Sequence, residues 1–541
     1  MDARDGWAGE HRRVPRPLQP PRAATAPALA AGDARPAWYP DVGHRSGHGT
    51  WAPPSTPSTP DPPTSPDPPS TSQAAALHLA RRATWGATPA VVAEIRRLGV
   101  AGWVDRQLDP ASIPQTADER TALALVPRLS WSISRVRSEY SNDTGDLGHD
   151  IIHAWYARAL WSERQLFETV VDTWTDHLVV SAPWGPAWAS VHRYQEDVVR
   201  KHALGRYADL LTAAVMHPAL LHQLDNTSSS KWSPNENLGR ELLELHTVGV
   251  DAGYTETDVR QSALALTGLT TDRTTGEYSY RSDWHHVGPL RVLGWSHANG
   301  SADGQAMVRS YLGYLARHPR TAQRIARRLA VRFVTDTPSA TLVDRLAAVY
   351  RANDTRIAPV VRELLLSEEF AAARGRKTKR PLENMISTCR VLGVRPGEDT
   401  RRWFTDIYWQ STVGGHAPMG WKAPNGYPDV AAAWSGAGAT LAVWNFHMGQ
   451  GWRAEDDARW VRYPAFRSLL PATLPATHGD LVDALAARLL VTPLPASTRA
   501  AACAFLGKAE SAPLTETGNA MTWRLPYLVA LLLDTPQFAT R

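Results

Sequence analysis

Two cysteines in 541 residues, Cys389 and Cys503, leave no disulfide framework and no cysteine-rich zinc site. No apolar run reaches the roughly 18 residues that a membrane-spanning helix needs. The first 72 residues carry Arg12 and Arg13 but no apolar stretch of secretory-signal length, so the chain reads as cytoplasmic. Charge of one sign is also scarce. Fifty-eight Lys and Arg against 53 Asp and Glu give a formal charge of +5, too little over this length to point to nucleic acid without a local basic patch. A Walker A loop, a dinucleotide fingerprint, a Gly-x-Ser-x-Gly elbow and a His-Glu-x-x-His pair are all absent, which removes the motif-bearing nucleotide, esterase and metalloprotease classes.

What remains is an ordinary globular composition, 43% hydrophobic and 21% charged, in a chain long enough for a large core. Residues 1 to 72 are rich in Pro, Ala, Ser and Thr and are expected to be a disordered arm, because such a segment cannot build a core. From residue 73 to 541 helical periodicity dominates, with a subdivision expected near residue 395. The fold class read from this pattern is mainly α, a multi-helix globular fold with a small β-hairpin insertion. Tryptophan is abundant at 22 residues, and in a helical protein most of it is expected inside.

The densest run of chemically capable residues is Asp225 to Val250. Ser233, Pro234 and Glu236 have the spacing of a capping box with proline at the first helical position. At 100° per residue, Leu238, Leu242 and Leu245 form an apolar stripe, with Asn237, Glu241 and Glu244 beside it. Arg240 lies four residues from both Glu236 and Glu244. Two carboxylates beside an apolar stripe require a cation, a metal, hydrogen-bond donors or water. They are thus either neutralised structurally by arginine or available as ligands and acid/base groups. Asp225, Asn226 and Asn235 sit near the start of this helix as caps or as ligand-binding groups.

Residues 234–237, 240–249 and 253–259 together resemble the signature core of the bacterial family DUF1800, and the resemblance runs from about Ala74 to Arg541. It implies a helical domain and brings no established biochemistry with it. The opening segment Leu77–Pro89 and the segments around His192 and Lys201 match the same family. His177 points inward from a helix expected over residues 162–180. The family motif there often carries a second His two residues earlier, where this chain has Thr175. Strand-like alternation at Glu277–Arg281 and Leu290–Gly294 predicts a hairpin whose loop holds Asp283, His285 and His286. His285 and Gly288 match the family pattern, whereas His286 and Leu290 replace an Asp and a Lys.

Two further features stand out. After His318 and Pro319, a helix carries Arg317, Arg320, Arg324, Arg327 and Arg328 on the face opposite Ile325, Leu329 and Phe333. Such a face is solvated, binds an anionic polymer, or pairs with the central glutamates. The Gly/Pro loop 414–429, with Met419, Trp421, Asn425 and Tyr427, is long enough to serve as a lid or a stacking surface.

Two functions are consistent with these residues. One is a hydrolytic enzyme, in which Glu241, Glu244 and His177 do acid/base work while His285, His286 and Asp283 hold a divalent metal. In this reading Asn235, Asn237, Arg240, Asp225, Asn226 and Trp421 bind the substrate. The other is a non-catalytic binding or assembly protein that engages a polymer or a protein through its Trp-containing loops and its arginine face.

Overall fold

The computed structural model describes residues 71–452 and 458–541. The arm expected over residues 1–72 therefore lies, up to residue 70, outside the described residues. Among those described, 23 α-helices account for most of the chain and the strands form only two-stranded sheets, so the fold is mainly α. Local sequence explains where many helices begin. Ser72 caps the helix Gln73–Ala83 through Ala75, and Thr88 caps Pro89–Gln107 with proline in its first turn. Thr255 and Asp258 complete a capping box at the head of Glu256–Ala265.

A contiguous hydrophobic core draws on residues from Ala76 to Phe538, on both sides of residue 395. Asp67–Arg541 makes one compact unit. Trp103, Trp174 and Trp403 are fully buried in that core, whereas Trp184, Trp232, Trp444 and Trp523 are exposed, so tryptophan abundance serves both core and surface.

Three short antiparallel pairs decorate the helices. Strand β1, Leu269–Thr271, pairs with β2, Tyr278–Tyr280; β3, Leu290–Val292, pairs with β4, Trp295–His297; β5, Arg395–Pro396, pairs with β6, Val461–Arg462. The strands expected at 277–281 and 290–294 are present, but they do not pair with each other. Each closes a hairpin with a nearer neighbour, and residues 283–289 form the link between two hairpins.

The central helix starts two residues later than its spacing suggested. Asn235, not Ser233, is the cap; its side chain accepts from the Asn237 N–H and donates to the Asp225 carbonyl at 2.7 Å. Helix Glu236–Glu241 then widens into a π-helical turn, Leu242–His246. The widening rotates the inward face. Leu243 and His246 are buried, while Leu245 is only partly covered, which a uniform 100° step cannot anticipate.

Candidate functional site

The ends of the central helix and of the helix Gln165–His177 come together beside the arginine helix Pro319–Phe333. His177 and His246 lock two of them together. The His246 Nδ1–H donates to the His177 carbonyl at 3.0 Å, the His177 Nε2–H donates to the Tyr207 hydroxyl at 2.9 Å, and that hydroxyl donates to the His246 carbonyl. The tautomers follow from these partners. Burial drives both imidazoles below their ordinary pKa, His246 to about 4, so both are neutral, as this ring of bonds requires. Arg324 crosses to the same junction and donates from Nε to the Leu245 carbonyl at 2.9 Å. It passes over Gly249, whose φ of 88° suits glycine and where a Cβ would press on the guanidinium.

Beside this junction lies a cleft of about 410 Å³. Its floor holds Asp172 and Asp176, one helical turn apart. Its walls carry Arg324, Arg327 and Arg328 together with Trp421 and Tyr427. The loop that brings Trp421 is pinned at Gly426, which has φ of 71° and lies against the Asp176 carbonyl, leaving no room for a Cβ. Trp421 is braced by its Nε1–H donating to Asn425 at 2.8 Å, with its ring 4.9 Å from that of Tyr427.

A buried ionic network underlies the cleft. Arg380, 2% exposed, donates to Asp172 at 2.9 Å and to Asp176 at 3.0 Å, and lies 3.2 Å from Glu383. Glu383 also pairs with Arg332 and Arg541. Asp429 meets Arg541 at 2.6 Å and Lys377 at 3.0 Å. Burial alone would raise the Glu383 carboxyl, but the Arg332, Arg541 and Arg380 charges hold it well below the usual range. Asp176 behaves oppositely. Burial, followed by the Asp172 charge, lifts it to about 7 despite Arg380 and Arg328.

The three wall arginines differ from those beneath. Among the described residues Arg324, Arg327 and Arg328 have no salt-bridge partner, whereas Arg332 and Arg380 are each paired. Half-buried Arg328 has a buried Nε with no hydrogen-bond partner among the described residues. A larger, shallower depression of about 860 Å³ holds Arg193, Arg309 and Arg317, but Arg193 is tied to Asp197 and Arg317 to Asp354.

The residues singled out from sequence go to several places. His177 and Trp421 line the cleft. Glu241 and Glu244 lie side by side on the central helix. Arg240 is 3.6 Å from Glu244 and from Glu236, but its shortest bridge is to Glu256, at 2.6 Å. Burial and the Glu244 charge raise the Glu241 carboxyl above its ordinary value. Asn226 is buried and donates to the Leu266 and Leu269 carbonyls, while Asp225 and Asn237 are exposed.

Asp283 is exposed and paired with Arg281 at 2.6 Å. The buried His285 ring sits between the Thr267 carbonyl and Asn299 Oδ1, each at 3.0 Å, and His286 is partly exposed. Among the described residues no three His, Cys, Asp or Glu side chains gather as metal ligands.

The family model for DUF1800, a protein of unknown function, matches residues 78–540. The chain belongs to DUF1800. Neither curated proteins nor solved structures give a match. In this DUF1800 protein, reading by sequence did not single out Asp172, Asp176, Arg380 or Glu383. The signal available was the i,i+4 spacing of Asp172 and Asp176, the same kind of pattern that drew attention to the central glutamates.

Proposed function

We propose that this DUF1800 protein is a binding protein that holds an anionic group of a polymer or partner in the cleft between the arginine helix and the 414–429 loop. The carrying observation is that Arg324, Arg327 and Arg328, from one helix face, reach a single cleft without a carboxylate partner among the described residues. A half-buried guanidinium with no carboxylate in direct contact is costly, and a ligand oxyanion supplies the acceptor geometry it lacks. Trp421 adds an apolar wall on which a ring can lie.

Thermal denaturation with millimolar phosphate, citrate and sulfate tests this. At least one anion is expected to raise the melting temperature by a few degrees through preferential binding to the folded state. Arg328→Gln is expected to abolish the shift. If no anion shifts the wild type, or if Arg328→Gln responds equally, the reading fails.

A hydrolytic reading has one observation in its favour: the Asp176 carboxyl, raised to about 7 chiefly by burial, is suited to proton transfer near neutral pH. In that reading His177 orients its surroundings through Tyr207 and does not itself exchange protons, and any divalent metal would need ligands beyond those gathered among the described residues.

A further inference from the structure

An anion seated on Arg328 cannot avoid the cleft floor. Asp176 is the carboxylate that acts most strongly on Arg328, and Asp172 stands one turn behind it on the same helix. Around Asp176 are Arg380 from the head of Pro381–Leu392, Arg328 from the arginine helix, and Tyr427 from the loop. Arg380 is already shared among Asp172, Asp176 and Glu383, so it has little charge left to offset a third anion above the floor. An oxyanion without a proton would therefore bring oxygen lone pairs against a carboxylate in a partly dry cleft. That arrangement is repulsive and lacks a hydrogen to share.

We propose that the cleft selects an oxyanion that brings its own proton, a phosphate group, and discriminates against one that cannot, such as sulfate. The P–O–H of the phosphate donates to the Asp176 carboxylate while its other oxygens accept from Arg328 and its neighbours. This rests on the anion-binding reading above and adds the identity of the group bound. Inorganic phosphate keeps a P–O–H at pH 8, whereas a phosphate monoester, whose second pKa is about 6, is there a dianion that brings none, so the free ion is the ligand of this cleft. A proton on Asp176 itself can substitute for the ligand's, so selectivity weakens as pH falls. The elevated Asp176 carboxyl, at about 7, puts that change within reach of ordinary buffers.

Calorimetric titration of the full chain with inorganic phosphate and with sulfate, at pH 8 and pH 6, tests the proposal. At pH 8 phosphate is expected to bind about tenfold more tightly than sulfate, because sulfate requires Asp176 to take up a proton about one unit above its value of about 7. At pH 6 the margin narrows. In Asp176→Asn, whose amide can donate to either ion, sulfate is expected to come within about threefold of phosphate, below one order of magnitude in affinity. In the same titrations glucose 6-phosphate, a dianion without a P–O–H at pH 8, is expected to bind as weakly as sulfate there, and an affinity equal to that of inorganic phosphate would overturn the proton requirement.

Equal affinities for phosphate and sulfate in the wild type at pH 8, both lost in Arg328→Gln, would overturn the selectivity and leave the anion cleft standing. Binding of neither ion would overturn both. The wild-type comparison needs no variant, so it decides the question even if Asp176→Asn does not fold.

Discussion

Replacing Arg380 by methionine keeps most of the side-chain volume and removes one charge from beneath the cleft. Arg380 is 2% exposed and meets Asp172 at 2.9 Å, Asp176 at 3.0 Å and Glu383 at 3.2 Å. Glu383 keeps Arg332 and Arg541. The two aspartates lose their shared cation, and removing one member of such a buried group costs about 3–5 kcal/mol. The loss also depends on pH. Burial and mutual repulsion raise the folded-state Asp176 carboxyl above its unfolded value, so the folded chain binds more protons and stability falls as pH rises from about 4 through the folded value of about 7.

Without Arg380 that folded value climbs further, so the deficit is larger at pH 8 than at pH 5.5. Urea unfolding followed by circular dichroism reads this as a lower midpoint with unchanged slope. Adding Asp176→Asn to Arg380→Met is expected to recover about half of the lost stability at pH 8, because one of the two stranded charges is gone. A loss below about 1 kcal/mol, the scale of an exposed pair, would refute this account of the network. So would a loss that is the same at both pH values.

Three other perturbations have defined outcomes. His78, His153, His192 and His246 are buried and held neutral, at about 4, 3, 4 and 4, chiefly by burial. The unfolded chain takes up these four protons near pH 6.5 and the folded chain does not, so stability should fall between pH 6.5 and 4.5, by up to about 5 kcal/mol per pH unit less the opposing Asp176 contribution; midpoints unchanged from pH 7 to 5 would contradict it. Gly426→Ala forces a side chain against the Asp176 carbonyl at a positive φ, so it should displace the Trp421 loop and weaken phosphate binding about tenfold or more with a smaller effect on melting, and undiminished affinity would count against the loop as a cleft wall. His285→Ala removes the ring between the Thr267 carbonyl and the Asn299 amide oxygen, takes its N–H donor from one of them and opens a cavity, an expected loss of roughly 2–4 kcal/mol in denaturant unfolding; a loss under about 0.5 kcal/mol would mean that the ring does not hold Thr267 and Asn299 together.

The helical class was legible in the sequence because capping signals are local. Thr88 with Pro89, Thr255 with Asp258, and His318 with Pro319 each act within three residues, and all three head helices. The start of the central helix was less legible, since Ser233 and Asn235 are both competent caps. What favours Asn235 is its bond to the Asp225 carbonyl, ten residues away in the chain. Strand pairing failed for a related reason. Alternation marks β2 and β3 but says nothing of their partners, and β1 and β4 lie closer in sequence.

The cleft was half legible. The arginine face and Trp421 were visible by periodicity and composition, but their convergence depends on contacts across long stretches of chain. Arg380 reaches Asp172 over 208 residues, and Gly426 reaches Asp176 over a similar span. The candidate metal residues were suggested by their place in a predicted hairpin loop, by side-chain type and by the match of His285 to the family pattern. His285 turned inward because Thr267 and Asn299 offered it partners, and Asp283 turned outward to Arg281.

The most direct measurement is a crystal structure of the protein grown with arsenate at pH 8, a tetrahedral oxyanion that keeps one O–H there as phosphate does and whose anomalous signal marks its position. The account predicts one strong site within hydrogen-bond distance of Arg328, facing Trp421 above Asp176. An empty cleft, with arsenate bound only at other surface arginines, would contradict it.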